Sequence, residues 1–164
     1  MRSIVVIAHD IRSTHNVGSL LRTAEGLGVD HVYFTGYTPY PKVAGDDRLP
    51  HIAEKLTRQI HKTALGAEDL VLWSHETAIV KLLNDLRAEG YQIVALEQTA
   101  ASISLPDFRP PDNIALLLGR EVEGIEPNLL KQCDVTVEIP MHGQKESFNV
   151  VQAAAMALYQ CTFA

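Results

Sequence analysis

Ile114-Ala115-Leu116-Leu117-Leu118-Gly119-Arg120-Glu121-Val122-Glu123-Gly124 is an unbroken apolar run that empties into a polar loop bounded by glycines. Val135-Thr136-Val137-Glu138-Ile139 does the same into Pro140-Met141-His142-Gly143-Gln144-Lys145-Glu146-Ser147-Phe148-Asn149. Short apolar runs of this kind fit strands buried on both faces, which is the habit of parallel sheets. In open α/β sheets ligands bind just beyond the carboxyl ends of the strands, so the two loops describe one binding crevice.

Outward from that crevice the rest of the chain falls into alternating elements. Residues 4–8 are a short β-branched run fitting a buried parallel strand. Asn16 is placed to cap the next helix, whose Val17, Leu20, Leu21, Ala24 and Leu27 recur at helical spacing before Gly28. A strand over 31–35 ends at Gly36, completing a βαβ opening. Residues 37–50 hold Pro39, Pro41, Gly45 and Pro50 around Asp46-Asp47 and read as a loop. A polar helix follows over 52–63, a strand over 70–74, a helix over 77–88 and a strand over 92–96. Pro106, Pro110 and Pro111 mark a loop before the 114–118 strand. A short helix over 126–132, the 135–139 strand and an alanine-rich helix over 147–160 close the chain, with Ser147 or Asn149 placed to cap the last helix. Strands and helices alternating at these spacings predict an α/β fold: one domain over 1–164, a mostly parallel sheet and helices on both faces.

Composition bounds the function. The 46% hydrophobic and 21% charged residues are those of a globular protein, and no apolar run reaches bilayer length, so a cytoplasmic protein without membrane contact is expected. Cys133 and Cys161 lack metal-ligand spacing and read as buried thiols. The net charge of −6 is unevenly spread. Residues 1–62 hold eight of the fourteen Lys/Arg and six of the twenty Asp/Glu, a balance of +2, which leaves −8 for the remainder. Five of the seven histidines lie in the same part. Arg12, Lys42, Arg48, Lys55, Arg58 and Lys62 are candidates for gripping a nucleic-acid backbone, against the alternative of an ordinary solvated face.

Dinucleotide chemistry needs a glycine-rich turn directly after the first strand, and it is missing. Gly26 and Gly28 end a helix and His31 stands at the third glycine position; no GxxxxGK[ST] is present either.

Three other segments carry a resemblance. Asn16-Val17-Gly18 with Arg22-Thr23-Ala24, then Leu118-Gly119-Arg120-Glu121 with Gly124, then Ile139-Pro140-Met141 with Gly143 and Ser147-Phe148-Asn149-Val150, resemble in order the three motifs of the SpoU/TrmH branch of the SPOUT RNA methyltransferases. The resemblance implies transfer of a methyl group from S-adenosylmethionine to a ribose 2′-hydroxyl of transfer or ribosomal RNA. It also implies a C-terminal deep trefoil knot, a homodimer that sets first-motif residues beside the partner's cofactor, and no metal. Arg120, Phe148 and Val151-Gln152 depart from the residues frequent in that branch. The separate N-terminal RNA-binding domain of some relatives is not expected.

On that resemblance Asn16, Arg22, Glu121, Ser147 and Asn149 form the catalytic set. Leu96, Glu97, Leu118, Gly119, Glu121, Gly124, Ile139, Met141, Phe148 and Asn149 hold the methyl donor. Glycines let the backbone approach a ligand while the apolar residues supply walls. Arg22 is either the base that takes the hydroxyl proton or a planar clamp on phosphate and developing charge; arginine's resistance to deprotonation favours the clamp. A surface arginine paired with Glu25 is its structural alternative. A non-catalytic RNA-binding protein keeping the fold, and an unrelated nucleotide-dependent α/β enzyme, are the rival functions.

Overall fold

A computed structural model describes residues 1–164 as one α/β domain around a seven-stranded, all-parallel sheet. In chain order the elements are β1 (Ser3–His9), α1 (Thr14–Gly26), β2 (His31–Thr35), α2 (Pro50–Ala64), β3 (Trp73–Glu76), α3 (Ile79–Ala88) and β4 (Gln92–Leu96). They continue with β5 (Ile103–Ser104), β6 (Asn113–Leu118), α4 (Pro127–Leu130), β7 (Val135–Glu138) and α5 (Val150–Phe163). The sheet runs β3-β2-β1-β6-β4-β7-β5.

Both faces are covered, which is why the central strands read as continuous apolar runs. Ile4, Val6 and Ala8 of β1 point into a core shared with α1, α2 and α5, whereas Val5 and Ile7 point to the core under α3 and α4. Leu20 and Leu21 of α1 are fully buried, and burial of each such side chain contributes roughly 1.5–3 kcal/mol. At Gly18 the α1 backbone passes so close to α2 that a Cβ would fall on Ile60 O and Thr63 Oγ1. Thr63 Oγ1 in turn donates to His15 O at 2.9 Å. The Arg2 guanidinium donates to Ala164 O at 2.7 Å and Cys161 O at 3.3 Å, satisfying carbonyls that the end of α5 leaves free.

Four sequence expectations need correction. Ser13, not Asn16, caps α1: its side chain accepts from Asn16 N, which puts Asn16 inside the first turn. Of the two candidate caps of α5 it is Asn149 that serves, accepting from Val151 N and Gln152 N, so the helix starts at Val150 and not at 147. The third strand lies at Trp73–Glu76, not 70–74, because the turn over Ala67–Asp69 delays it and leaves Leu70 and Leu72 exposed. The proline-marked stretch before β6 also contains the two-residue β5.

The topology fixes where a ligand can sit. From β1 the chain crosses through α1 toward β2, and from the adjacent β6 it leaves through α4 toward β7, on the opposite face and in the opposite direction. Neighbouring strands that part in this way open a crevice at their carboxyl ends. β7 inserts between β4 and β5, bringing its own loop to the same edge.

Candidate functional site

The loops after β1 and β6 meet across that crevice through Glu121. Its Oε1 accepts from Arg12 N at 3.1 Å, Ser13 N at 3.2 Å and Asn16 Nδ2 at 3.3 Å. Asn16 Oδ1 accepts from Asn149 Nδ2 at 3.2 Å, and Asn149 Oδ1 accepts from Val151 N at 2.9 Å. One hydrogen-bonded chain therefore joins the β6 loop, the first turn of α1 and the N-terminus of α5. Burial opposes the charge on Glu121, but the N–H groups of Glu121 itself, Ser13, Arg12 and Asn16 outweigh it and hold its pKa below the ordinary value.

Beside this chain lies a cleft formed at the ends of β4, β6 and β7 and the start of α5. Leu96, Leu118, Ile139, Met141 and Phe148 are part of its apolar lining, and Glu97, Gly119, Glu121, Gly124 and Ser147 also border it. Asn149 stands at the edge, in the network described above.

The β6 loop is shaped by contacts of its own. Arg120 N donates to Gly124 O at 3.2 Å and Gly124 N to Arg120 O at 3.1 Å, closing a tight turn. Glu97 Oε2 accepts from Ile125 N at 2.9 Å. Gly124 has φ +70, and a Cβ there would fall on Glu97 Oε2. A Cβ at Gly119 would lie 2.6 Å from Ile125 Cγ1. These two glycines thus let the loop fold onto itself and onto β4, whereas Gly143 faces open space.

Carboxylates that the sequence reading missed also border the cleft: Glu138 at the end of β7 and Glu146 in the following loop. The strand-end rule that singled out Ile139 covers Glu138 as well. Glu146 lies in the 140–149 loop that the same rule assigns to the crevice, but nothing in the sequence sets it apart from its neighbours Gln144 and Lys145.

Arg22 is not part of this cleft. It is exposed on α1, makes no ion pair with Glu25, and borders a separate open groove with Ser19, Thr23, Lys62, Thr63 and Leu65. Lys55, Arg58 and Lys62 are exposed along α2, and Lys42 pairs with Glu54 at 3.6 Å. Arg48 differs from these: its side chain is 18% exposed and its Nε, Nη1 and Nη2 donate to Asp46, Tyr40 O and Pro41 O. That guanidinium ties the 40–48 loop together. No cluster of three His, Cys, Asp or Glu is placed to hold a metal ion, and no helix is long and apolar enough to cross a membrane. Cys133 and Cys161 are free thiols whose pKa burial pushes up to about 11, which makes them poor nucleophiles.

A parallel α/β sheet with a cleft at strand ends, stitched by side chains from both halves of the chain, defines a ligand-binding domain of the open α/β class. The chain belongs to the SpoU rRNA Methylase family, whose pattern it matches over residues 3–159. It is 32% identical over 155 residues to the 23S rRNA (guanosine-2′-O-)-methyltransferase RlmB of Neisseria meningitidis, covering 94% of this chain and 56% of that protein. It is also 32% identical over 159 residues to the tRNA (guanosine(18)-2′-O)-methyltransferase TARBP1 of Mus musculus, covering 97% of this chain and 9% of that protein. The chain thus spans little more than half of the bacterial relative's length and under a tenth of the mouse protein's. Among solved structures, an AdoMet-bound rRNA methyltransferase from Sinorhizobium meliloti shares the fold with a TM-score of 0.82 at 20% identity, over 98% of this chain and 56% of that one.

Proposed function

We propose that this protein is a cytoplasmic RNA methyltransferase that moves a methyl group from S-adenosylmethionine to a ribose 2′-hydroxyl of transfer or ribosomal RNA. The observation that carries the reading is the Glu121–Asn16–Asn149 chain, in which one residue from each of the three motif segments meets at the rim of the cleft. The relatives named above are 2′-O-methyltransferases of rRNA and tRNA, which supports the same class here.

The cleft suits that donor chemically. Its apolar lining fits an adenosine, backbone groups of the 118–124 and 138–141 segments are within reach of polar edges, and Glu121, Glu138 and Glu146 complement a positive charge. Leu96, Glu97, Leu118, Gly119, Gly124, Ile139, Met141, Phe148 and Asn149 would hold it. When bound, S-adenosylmethionine would supply an activated methyl group; its sulfur would leave as a neutral thioether without need of a metal, and the ribose hydroxyl proton would pass to solvent. What the chain's own residues contribute is position and field. Glu121 fixes the backbone of Arg12 and Ser13, and Asn16 holds the Asn149 amide in place. Ser147 presents a hydroxyl at the cleft.

Arg22 completes this reading only from a second copy of the chain. We place it as a guanidinium clamp on RNA phosphate and on developing negative charge at the 2′-oxygen, with a homodimer bringing it to the partner's cleft. Its position on a groove outside its own cleft supports that arrangement. The C-terminal segment is read as threaded in a trefoil knot. The insertion of β7 between two earlier strands, and the packing of α5 against α1, β4 and β6, support it.

Two measurements test the function. Calorimetry should show binding of S-adenosylmethionine and S-adenosylhomocysteine, and labelled donor should transfer methyl groups into RNA from a strain lacking the gene. Absence of donor binding overturns the reading; donor binding without incorporation into any RNA makes the protein a non-catalytic RNA binder.

A further inference from the structure

Tyr37, in the loop after β2, is 50% exposed, and the guanidinium carbon of Arg12 lies 5.9 Å from its ring centroid. Both side chains are free at their tips: the Arg12 guanidinium makes no hydrogen bond or ion pair, and the Tyr37 hydroxyl has no partner. Their backbones are fixed. Asp10 Oδ1 accepts from Tyr37 N at 3.0 Å, and Glu121 holds Arg12 N. Asp10 sits at φ 56, a left-handed conformation that aspartate tolerates better than most residues, and Gly36 at φ 62 leaves room for its carboxylate. A strained turn is thus used to aim a half-exposed aromatic ring and the guanidinium that lies over it.

The chain offers its own comparison. Arg48 lies 3.7 Å from the Tyr40 ring centroid, but each of its nitrogens donates within its loop, and Tyr40 also stacks on His75 at 4.2 Å. That pair is an internal tie. Arg12 and Tyr37 have the same chemistry, but no hydrogen bond ties down either tip; Glu121 holds Arg12 N at the rim of the cleft, and Asp10 holds Tyr37 N beside it.

We propose that Tyr37 and Arg12 form a platform for an unpaired RNA base next to the reacting nucleotide, the phenol stacking on the base and the guanidinium meeting its phosphate. Every base has a π face, and an arginine beside an aromatic ring suits the base-plus-phosphate pattern of single-stranded RNA. This assignment rests on the reading of RNA as substrate.

The test compares Tyr37→Ala, Tyr37→Phe and the unaltered protein, with thermal melting to confirm folding. With labelled donor and total RNA from the deletion strain, Tyr37→Ala should raise KM for RNA about tenfold, the scale of one lost base stack, with kcat and donor affinity nearly unchanged. Tyr37→Phe should behave as the unaltered protein. A second readout does not depend on turnover: a single-stranded 2-aminopurine oligoribonucleotide of mixed sequence should be quenched by the unaltered and Phe proteins and not by Tyr37→Ala. Loss of quenching in Tyr37→Ala from a protein that methylates nothing would keep the platform and overturn the methyltransferase reading. A KM within twofold and unaltered quenching in Tyr37→Ala, an equal loss in Tyr37→Phe, or no quenching by the unaltered protein would overturn the platform.

Discussion

Asn149 Nδ2 donates to Asn16 Oδ1 at 3.2 Å, tying the residue that caps the last helix to the first turn of the first. Asn149 therefore has two separable tasks, accepting from the α5 backbone and donating to Asn16. Aspartate can perform the first and not the second. Asn149→Asp should melt close to the unaltered protein yet lose at least tenfold in methyl transfer. Asn149→Ala should lose about 1 kcal/mol of stability as well. Differential scanning calorimetry beside a labelled-methyl assay separates the two.

Glu121 gives the acid limb a defined sign. Its folded-state pKa lies below the ordinary 4.5, so the charged carboxylate stabilises the fold above that value and the contribution is lost as pH falls through the folded-state pKa. Glu121→Gln should melt lower than the unaltered protein at pH 7, and the gap should close as melts are taken down toward pH 3. A gap that widens with acid would reverse the assignment.

Arg22→Ala should abolish transfer and leave donor affinity unchanged, since Arg22 borders a different groove from the cleft. Arg22→Lys should retain little activity, because a point charge does not reproduce a planar fork. If the proposed homodimer shares its sites, mixing Arg22→Ala with Glu121→Gln should restore about a quarter of the original activity, because half the dimers would be mixed and each would have one intact site. No recovery after subunit exchange would place Arg22 and Glu121 in a site within one chain.

Arg48 and Arg58 should part company in salt titrations of RNA binding. Arg58→Ala, on the open face of α2, should lower the slope of log affinity against log salt by about one. Arg48→Ala should leave the slope unchanged and lower the melting temperature, because three groups in its loop lose their donor.

Gly18→Ala should destabilise the protein by about 1–3 kcal/mol, since a methyl group would press on the α2 backbone at Ile60 O. Urea denaturation followed by circular dichroism measures it. A loss under 0.5 kcal/mol, below the overpacking range, would mean that α1 and α2 separate freely.

The alternation of apolar runs made the buried strands legible: β2 and β4 have the predicted bounds, and β6 and β7 differ by one residue. β3 was misplaced because it is an edge strand. Ser74, His75 and Glu76 need no deep core there, while the more apolar Leu70 and Leu72 lie in solvent. Capping failed for a different reason. Ser13, Thr14 and Asn16 are all competent caps within four positions, and the direction in which the chain leaves β1 decides among them. The site was legible only as far as strand ends could locate it. Asn16 and Asn149 stand 133 residues apart, a separation no local pattern bridges, and their placement at one site came from resemblance alone. Arg48 looked like any surface cation, because the carbonyls of Tyr40 and Pro41 that hold it become neighbours only when the loop closes.

The position of β7 sets an order on assembly during synthesis. Strands β1, β2, β3, β4 and β6 can pair as soon as β6 has emerged, but β5 has no partner except β7, and β4 stays a bare edge until β7 arrives. The cleft depends on the residues after β7 for much of its lining. A nascent chain halted near residue 132 would own most of its hydrophobic core but only the β4 and β6 sides of the cleft. Stability and competence are thus acquired at different moments on the ribosome.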